Sequence, residues 1–226
     1  MNTSLINQRV IFPFQGKSNW LGFWRETLHI SLNNCIVVPD FIDDQQACML
    51  SINPLTAYKL LTSFSTLNKG DWVIQNAANS AVGRWVIYLA NQLQLNTVNI
   101  VRREALVDDL KTLGAQEVIV EHDRFSQSVV QKGRCKLALN GVGGASAKEI
   151  AKCLDYKGQL VTYGAMAKEP LTFGNALFIF NTITASGFNR THWIQEIERS
   201  AVQMIYNQLF DWLNDTPFTI PIHQCF

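Results

Sequence analysis

The sequence predicts an α/β fold built on a doubly wound parallel sheet. Three observations carry that prediction. From Gly70 onward, short apolar runs alternate with stretches of helical periodicity. A turn of small residues, Asn76 to Gly83, joins the first run to the first helical stretch. Residues before Pro39 follow a different pattern, with β-like runs broken by turns, so a β-rich part precedes the sheet.

The elements follow in chain order. Residues near 9–14, 22–30 and 35–38 read as short strands, and Pro39-Asp40 ends this part. Asp43 or Asp44 caps a short helix running to Leu50. A second helix starts near Pro54, where proline suits the first turn, and runs through Tyr58 to Leu61. Strands are then predicted at 72–76, 97–101, 117–120, 136–140, 159–163 and 183–188. Helices are predicted at 82–94, 104–113, 145–154 and 194–213, with a weaker one near 124–131. Val82, Trp85, Val86, Leu89, Ala90 and Leu93 recur at helical spacing, as do Ile194, Ile197, Ala201, Ile205, Leu209 and Trp212. The apolar segment Asn175 to Phe180 reads as a late part of the sheet. Pro217 breaks the pattern, and Phe218-Thr219-Ile220 can begin a further strand. The domain expectation is therefore 1–40, 41–213 and 214–226.

Composition narrows the function. The chain has 226 residues, 47% of them hydrophobic, enough for one full core and part of a second. Its 19 basic and 18 acidic side chains leave a net charge of +1, so no broad basic field invites nucleic acid. No apolar run approaches the ~20 residues of a membrane span. The first nine residues lack a signal-peptide apolar region and are too weakly basic for a transit peptide. Cys35, Cys48, Cys135, Cys153 and Cys225 are scattered, which fits a reducing compartment. The expected location is cytoplasmic, or mitochondrial in a eukaryote. No Cys-x-x-Cys is present, and His29, His122, His192 and His223 form no local metal motif, so no metal is expected.

Four strand tips carry the candidate chemistry. At the first, Asn79, Ser80, Ala81 and Val82 lead into Gly83, a small-residue turn opening a helix. Such a turn aims free backbone N–H groups at one point, which suits a pyrophosphate. It is not a G-x-G-x-x-G: Asn76 and Ala78 stand where that pattern has glycine. At the second tip, where an NAD site places an acidic residue roughly 20 residues on, this chain has Arg102-Arg103. A guanidinium fork suits a phosphate dianion, so NADPH is favoured over NADH. Glu104 is expected to open the next helix, where the macrodipole favours it. The third tip is Asn140-Gly141-Val142-Gly143-Gly144, whose glycines serve either close approach to a flat ring or a turn. The fourth is Val161 to Met166, including Tyr163, Gly164, Ala165 and Met166. Ligands of open α/β sheets bind outside these carboxyl ends.

With these residues in place, the chain resembles the medium-chain dehydrogenase/reductase superfamily, and within it the zinc-independent mitochondrial-type trans-2-enoyl thioester reductases. The resemblance rests on Ile52 to Tyr58, Gly70 to Gly83, Leu113-Gly114-Ala115, Leu137 to Gly144 and Tyr163 to Lys168. It is strongest from Pro39 to Phe188. It implies a Rossmann cofactor domain joined to part of a β-rich GroES-like catalytic domain. The implied reaction is hydride delivery from NADPH to the β-carbon of an enoyl thioester. The resemblance places Asn53 near the nicotinamide, Asn79 to Val82 at the pyrophosphate, and Arg102 and Arg103 at the 2′-phosphate. Tyr163 to Met166 would flank the nicotinamide. Phe188, Asn189 and Arg190 would border the cofactor and acyl channel. It also implies a homodimer through the late edge strand. Residues 5–40, including Gly16 to Trp24, match only the end of the family's catalytic domain. The chain is therefore expected to be shortened at both ends, with the family's catalytic tyrosine outside it and no catalytic residue assigned. Two alternatives stay open: an NADPH:quinone-type oxidoreductase, and a non-catalytic nucleotide-binding remnant.

Overall fold

Six parallel strands form a sheet in the order β5-β4-β3-β6-β7-β8, the doubly wound arrangement in which the chain winds outward from the centre in both directions. The strands are β3 (Trp72–Gln75), β4 (Asn96–Val101), β5 (Glu117–Val120), β6 (Cys135–Asn140), β7 (Leu154–Thr162) and β8 (Thr184–Gly187). This computed structural model describes residues 5–14, 25–131 and 133–223. The chain divides into two compact units, one of residues 56–188 and one of residues 1–55 with 189–226. The expected boundaries at 40 and 213 differ from this division. It falls instead in the first turn of one helix and just past the last strand of the sheet.

In the sheet unit, period-two alternation sends residues of one strand to opposite faces. Val98 and Ile100 of β4 join Ile74, Ala138 and Leu160 on one face, under Phe125, Val129 and Ile150. Val101 faces the other way, into a cluster with Ala78, Ile87, Leu110 and Ala115. Phe125 and Val129 flank and belong to α5 (Ser126–Val130), and Ile150 belongs to α6 (Gly144–Lys152). On the opposite face, Ile87 comes from α3 (Ala81–Gln92) and Leu110 from α4 (Val107–Thr112). The predicted one-sided stripe of α3 is an understatement: Gly83 through Ala90 are all buried. A helix enclosed all round is a core element rather than a surface one.

The other unit contains a two-stranded antiparallel pair, β1 (Val10–Ile11) with β2 (Ile36–Val37), in the register Val10 to Val37. Asp43, rather than Asp44, caps α1 (Asp44–Ala47), its carboxylate accepting from the Gln46 N–H at 2.7 Å. α2 (Asn53–Ser63) begins in this unit. α8 (Arg190–Glu196) and α9 (Arg199–Asp215) follow the sheet. α9 buries Val202, Ile205, Tyr206, Leu209, Phe210 and Leu213 along one stripe, and the Tyr206 hydroxyl donates to the Leu50 carbonyl at 2.9 Å.

Several expectations need correction. Residues 25–30 form no strand, and the 22–24 part of that prediction lies outside the described residues. Residues 218–220 form no strand. The apolar segment expected in the sheet is a helix, α7 (Asn175–Asn181), which leaves Phe178, Ile179 and Phe180 exposed. A run of that length has no periodicity that separates strand from helix. The helix predicted over 194–213 is two helices, because Ile197 and Glu198 adopt extended backbone between them. α8 starts earlier than predicted because the Asn189 side chain caps it, accepting from the His192 N–H.

Candidate functional site

The carboxyl ends of β3 and β6 lie side by side where the winding reverses, the position at which an open α/β sheet has its crevice. Two buried asparagines fasten these ends together. The Asn76 amide donates to Asn140 Oδ1 at 2.9 Å and to the Ser146 hydroxyl at 3.2 Å, and its oxygen accepts the Gly141 N–H at 2.7 Å. Asn140 Oδ1 also accepts the N–H groups of Val142 and Gly143, while its amide donates to the Thr162 hydroxyl at 3.1 Å. A buried polar group is costly unless paired. Here both amides are satisfied, so the network rigidifies the crevice floor.

The turn after β3 presents the first candidate residues. Ala77 takes φ 50°, a left-handed conformation that turns the chain out of the strand. The Ala78 N–H then donates to Ile100 of the neighbouring β4 strand. Ser80 caps α3, its hydroxyl accepting the Gly83 N–H at 3.1 Å, and its carbonyl accepts the Arg84 N–H. Gly83 has no room for a side chain, since a Cβ would sit 2.5 Å from the Ala78 oxygen. Glycine here lets helix and strand pack closely. Among the described residues the amides of Ala81 and Val82 have no acceptor. With the helix dipole behind them, they have the geometry of a helix end that can receive an anion.

Arg102 and Arg103 follow β4 directly, and both are exposed. Among the described residues neither guanidinium has a hydrogen-bond or ion-pair partner. Glu104 opens the following 3-10 turn, Glu104–Leu106, as expected.

The Gly141 and Tyr163 segments are sewn together at the tips of β6 and β7. The Tyr163 N–H donates to Asn140 O at 3.0 Å, Met166 N–H to Gly141 O at 3.2 Å, and Ala167 N–H to Val142 O at 2.9 Å. A Cβ on Gly164 would lie 2.8 Å from the Gly141 oxygen. Gly143 and Gly144 have φ of 95° and 53°, so they serve the turn, whereas Gly141 allows close approach of the Tyr163 ring. The Tyr163 hydroxyl is enclosed and, among the described residues, its nearest polar neighbour is the Ser80 hydroxyl. Burial pushes its pKa up to about 12, and the nearby Ser80 hydroxyl offsets this only partly. This brings the Tyr163 hydroxyl beside the Ser80 cap at the start of α3.

Phe188 continues the tip of β8, its N–H donating to Thr162 O and its ring packing edge-on against Phe64 at 5.7 Å. Thus Asn79 to Val82, Arg102-Arg103, Tyr163 to Met166 and Phe188 share the carboxyl edge of one sheet. Asn53, Asn189 and Arg190 belong to the other unit. There the Asn53 amide donates to Met49 O, and Asn189 caps α8. The Arg190 guanidinium donates to the carbonyls of Pro13 and Ser51, its Nε is buried without a partner among the described residues, and burial lowers its pKa.

Sequence reasoning passed over the roles of Asn76, Arg84, Ser146 and Thr162. The available signal was an asparagine ending each of two apolar strands, β3 and β6. A groove of about 660 Å³ lined by residues including Phe64, Thr66, Lys69 and Leu95 shares no residue with the site. Among the described residues no three His, Cys, Asp or Glu side chains gather to hold a metal ion. No described helix is long and apolar enough to cross a membrane.

Residues 81–207 match the family model described as zinc-binding dehydrogenase. The chain is 40% identical over 199 residues to the mitochondrial enoyl-[acyl-carrier-protein] reductase of Caenorhabditis elegans, covering 85% of this chain and 57% of that protein. The mitochondrial 2-enoyl thioester reductase Etr1p/Etr2p heterodimer from Candida tropicalis matches with a TM-score of 0.77 and 31% identity, over 84% of this chain and 58% of that one. The structure of the Etr1p/NADP/crotonyl-CoA complex matches with a TM-score of 0.77 and 31% identity, over 83% of this chain and 58% of that one. The chain therefore spans somewhat more than half the length of these relatives.

Proposed function

We propose a function from one premise: this chain belongs to the zinc-binding dehydrogenase family, in its enoyl reductase branch. The proposed activity is NADPH-dependent reduction of a 2-enoyl thioester. One observation carries the cofactor reading. The open amides of Ala81 and Val82 lie at the switch point, and the unpaired Arg102-Arg103 lies at the tip of the adjacent strand. That pairing of an anion-binding helix end with a guanidinium pair fits a dinucleotide carrying an extra ribose phosphate. A relative solved with NADP and crotonyl-CoA supports the same cofactor and substrate class here.

When bound, reduced nicotinamide supplies a hydride to the β-carbon of the enoyl group, the α-carbon taking a proton. The residues of this chain hold and orient. Ala81 and Val82 donate to the diphosphate, and Ser80 fixes the helix end that presents them. Arg102 and Arg103 neutralise the 2′-phosphate. Tyr163 stays protonated through neutral pH and donates its hydroxyl hydrogen to a ligand oxygen. Gly141 and Gly164 let the Tyr163 segment pack closely on the tip of β6.

The mitochondrial relatives support a mitochondrial location, and the Etr1p/Etr2p heterodimer supports a dimeric assembly. The test is the full chain with NADPH and crotonyl-CoA, followed by loss of NADPH absorbance. Turnover with crotonyl-CoA and none with a simple quinone supports the reading. Turnover of the quinone alone moves the chain to the quinone reductases. Cofactor binding without turnover of either leaves a nucleotide-binding chain and removes the reductase activity.

A further inference from the structure

One buried cation in the sheet unit has no role in the reading so far. Arg84 lies in the first turn of α3, with only 8% of its surface exposed. Its Nε donates to the carbonyl of Asn79, inside the diphosphate turn, at 3.3 Å. Its two terminal nitrogens grip the Asp109 carboxylate in a bidentate pair. Asp109 belongs to α4, which follows the 3-10 turn that begins directly after Arg103. One guanidinium thus touches both phosphate-facing segments: the turn that opens α3, and the helix leading away from the arginine tip of β4.

We infer that Arg84 is a positioning residue that sets the spacing between the diphosphate turn and the Arg102-Arg103 tip, and so tunes preference for a 2′-phosphorylated cofactor. This rests on the cofactor reading above. A bidentate arginine–carboxylate pair fixes direction as well as distance, and a planar guanidinium does so where an ammonium cannot. Attachment of α4 does not depend on the pair, because Leu110 is fully buried in the cluster that also holds Ala78. Losing the pair therefore leaves the helix docked and frees its orientation, together with the approach of the tip. The side chain on the α4 end is half exposed, so an isosteric change there leaves the fold in place.

The test measures binding of NADPH and of NADH to the full chain by nucleotide fluorescence, with melting temperature recorded for each variant. Asp109→Asn keeps size and removes the charge. It is expected to weaken NADPH about fivefold, within the range for residues coupled through one network, and to leave NADH within about twofold. Arg84→Lys is expected to fall with Asp109→Asn, since the fork geometry is lost. On a background of Arg102→Ala with Arg103→Ala, Asp109→Asn should have no further effect on NADPH. Equal weakening of both nucleotides with a lowered melting temperature, an undiminished effect on that background, or no effect at all overturns the positioning role. A wild-type chain that binds neither nucleotide overturns the cofactor reading itself, and this inference with it.

Discussion

The floor and the rim of the crevice are built on opposite principles. At the floor, Asn76 and Asn140 spend their hydrogen-bonding capacity on one another, on Ser146 and Thr162, and on three backbone amides. At the rim, the amides of Ala81 and Val82 and the Arg102 and Arg103 guanidinium groups have no protein partner among the described residues. The difference separates two jobs. Groups satisfied internally hold geometry and have nothing to offer a ligand. Groups left open cost little while exposed to water, and become strong when an anion excludes that water.

If that division is right, substitutions at the floor should act on stability first, and substitutions at the rim on binding alone. The largest effect is expected at Asn76→Ala, which orphans the Gly141 N–H and weakens the satisfaction of Asn140. A loss of about 3 kcal/mol is expected, since each buried unsatisfied group costs about 1–3 kcal/mol, and urea denaturation reads it. Next is Gly83→Ala, which drives a methyl against the Ala77 and Ala78 oxygens at 2.7 and 2.5 Å. Overpacking of this kind costs about 1–3 kcal/mol. Because it pushes on the turn between β3 and α3, nucleotide affinity should fall in the same variant.

Much of this arrangement was legible in the chain. The six strands of the sheet were read from sequence, most plainly β3, β4 and β6, which are buried on both faces and so read as continuous apolar sequence. The rim was legible as well: small residues before a helix and two arginines after a strand are local signals. The floor was not. Asn76 was noticed only as a missing glycine, since its function depends on Asn140, 64 residues away, and strand order alone brings them together. Arg84 was hidden for the same reason, its partner being 25 residues distant. The segment at α7 misled because its apolar residues are exposed rather than buried, so hydrophobicity there does not report the core.

A smaller effect tests the amino end of the same strands, far from the crevice. Asp71 accepts from Lys136 at 2.8 Å and from the Asn68 N–H at 2.6 Å, and the Lys136 bond is the main cause of a carboxyl pKa below its ordinary value. A carboxylate whose folded pKa is depressed stabilises the protein above its unfolded pKa, and that contribution disappears as pH falls through the folded value. Asp71→Asn should therefore lower stability by about 0.5–1 kcal/mol at pH 7, the scale of a partly exposed pair. At a pH below the depressed value, variant and parent should coincide. Nucleotide affinity should be unchanged throughout.

The central claim is that the open rim recognises a dinucleotide with a 2′-phosphate. Its most direct test is equilibrium binding of NADPH and NADH to the full chain, compared with the Arg102→Ala, Arg103→Ala double variant. Each charge-assisted bond to a phosphate is worth about 1.5–3 kcal/mol, and about 1.4 kcal/mol is a decade in affinity. NADPH binding is therefore predicted to weaken at least about tenfold in the variant while NADH binding hardly changes. Equal weakening of both nucleotides, or of neither, would contradict the assignment.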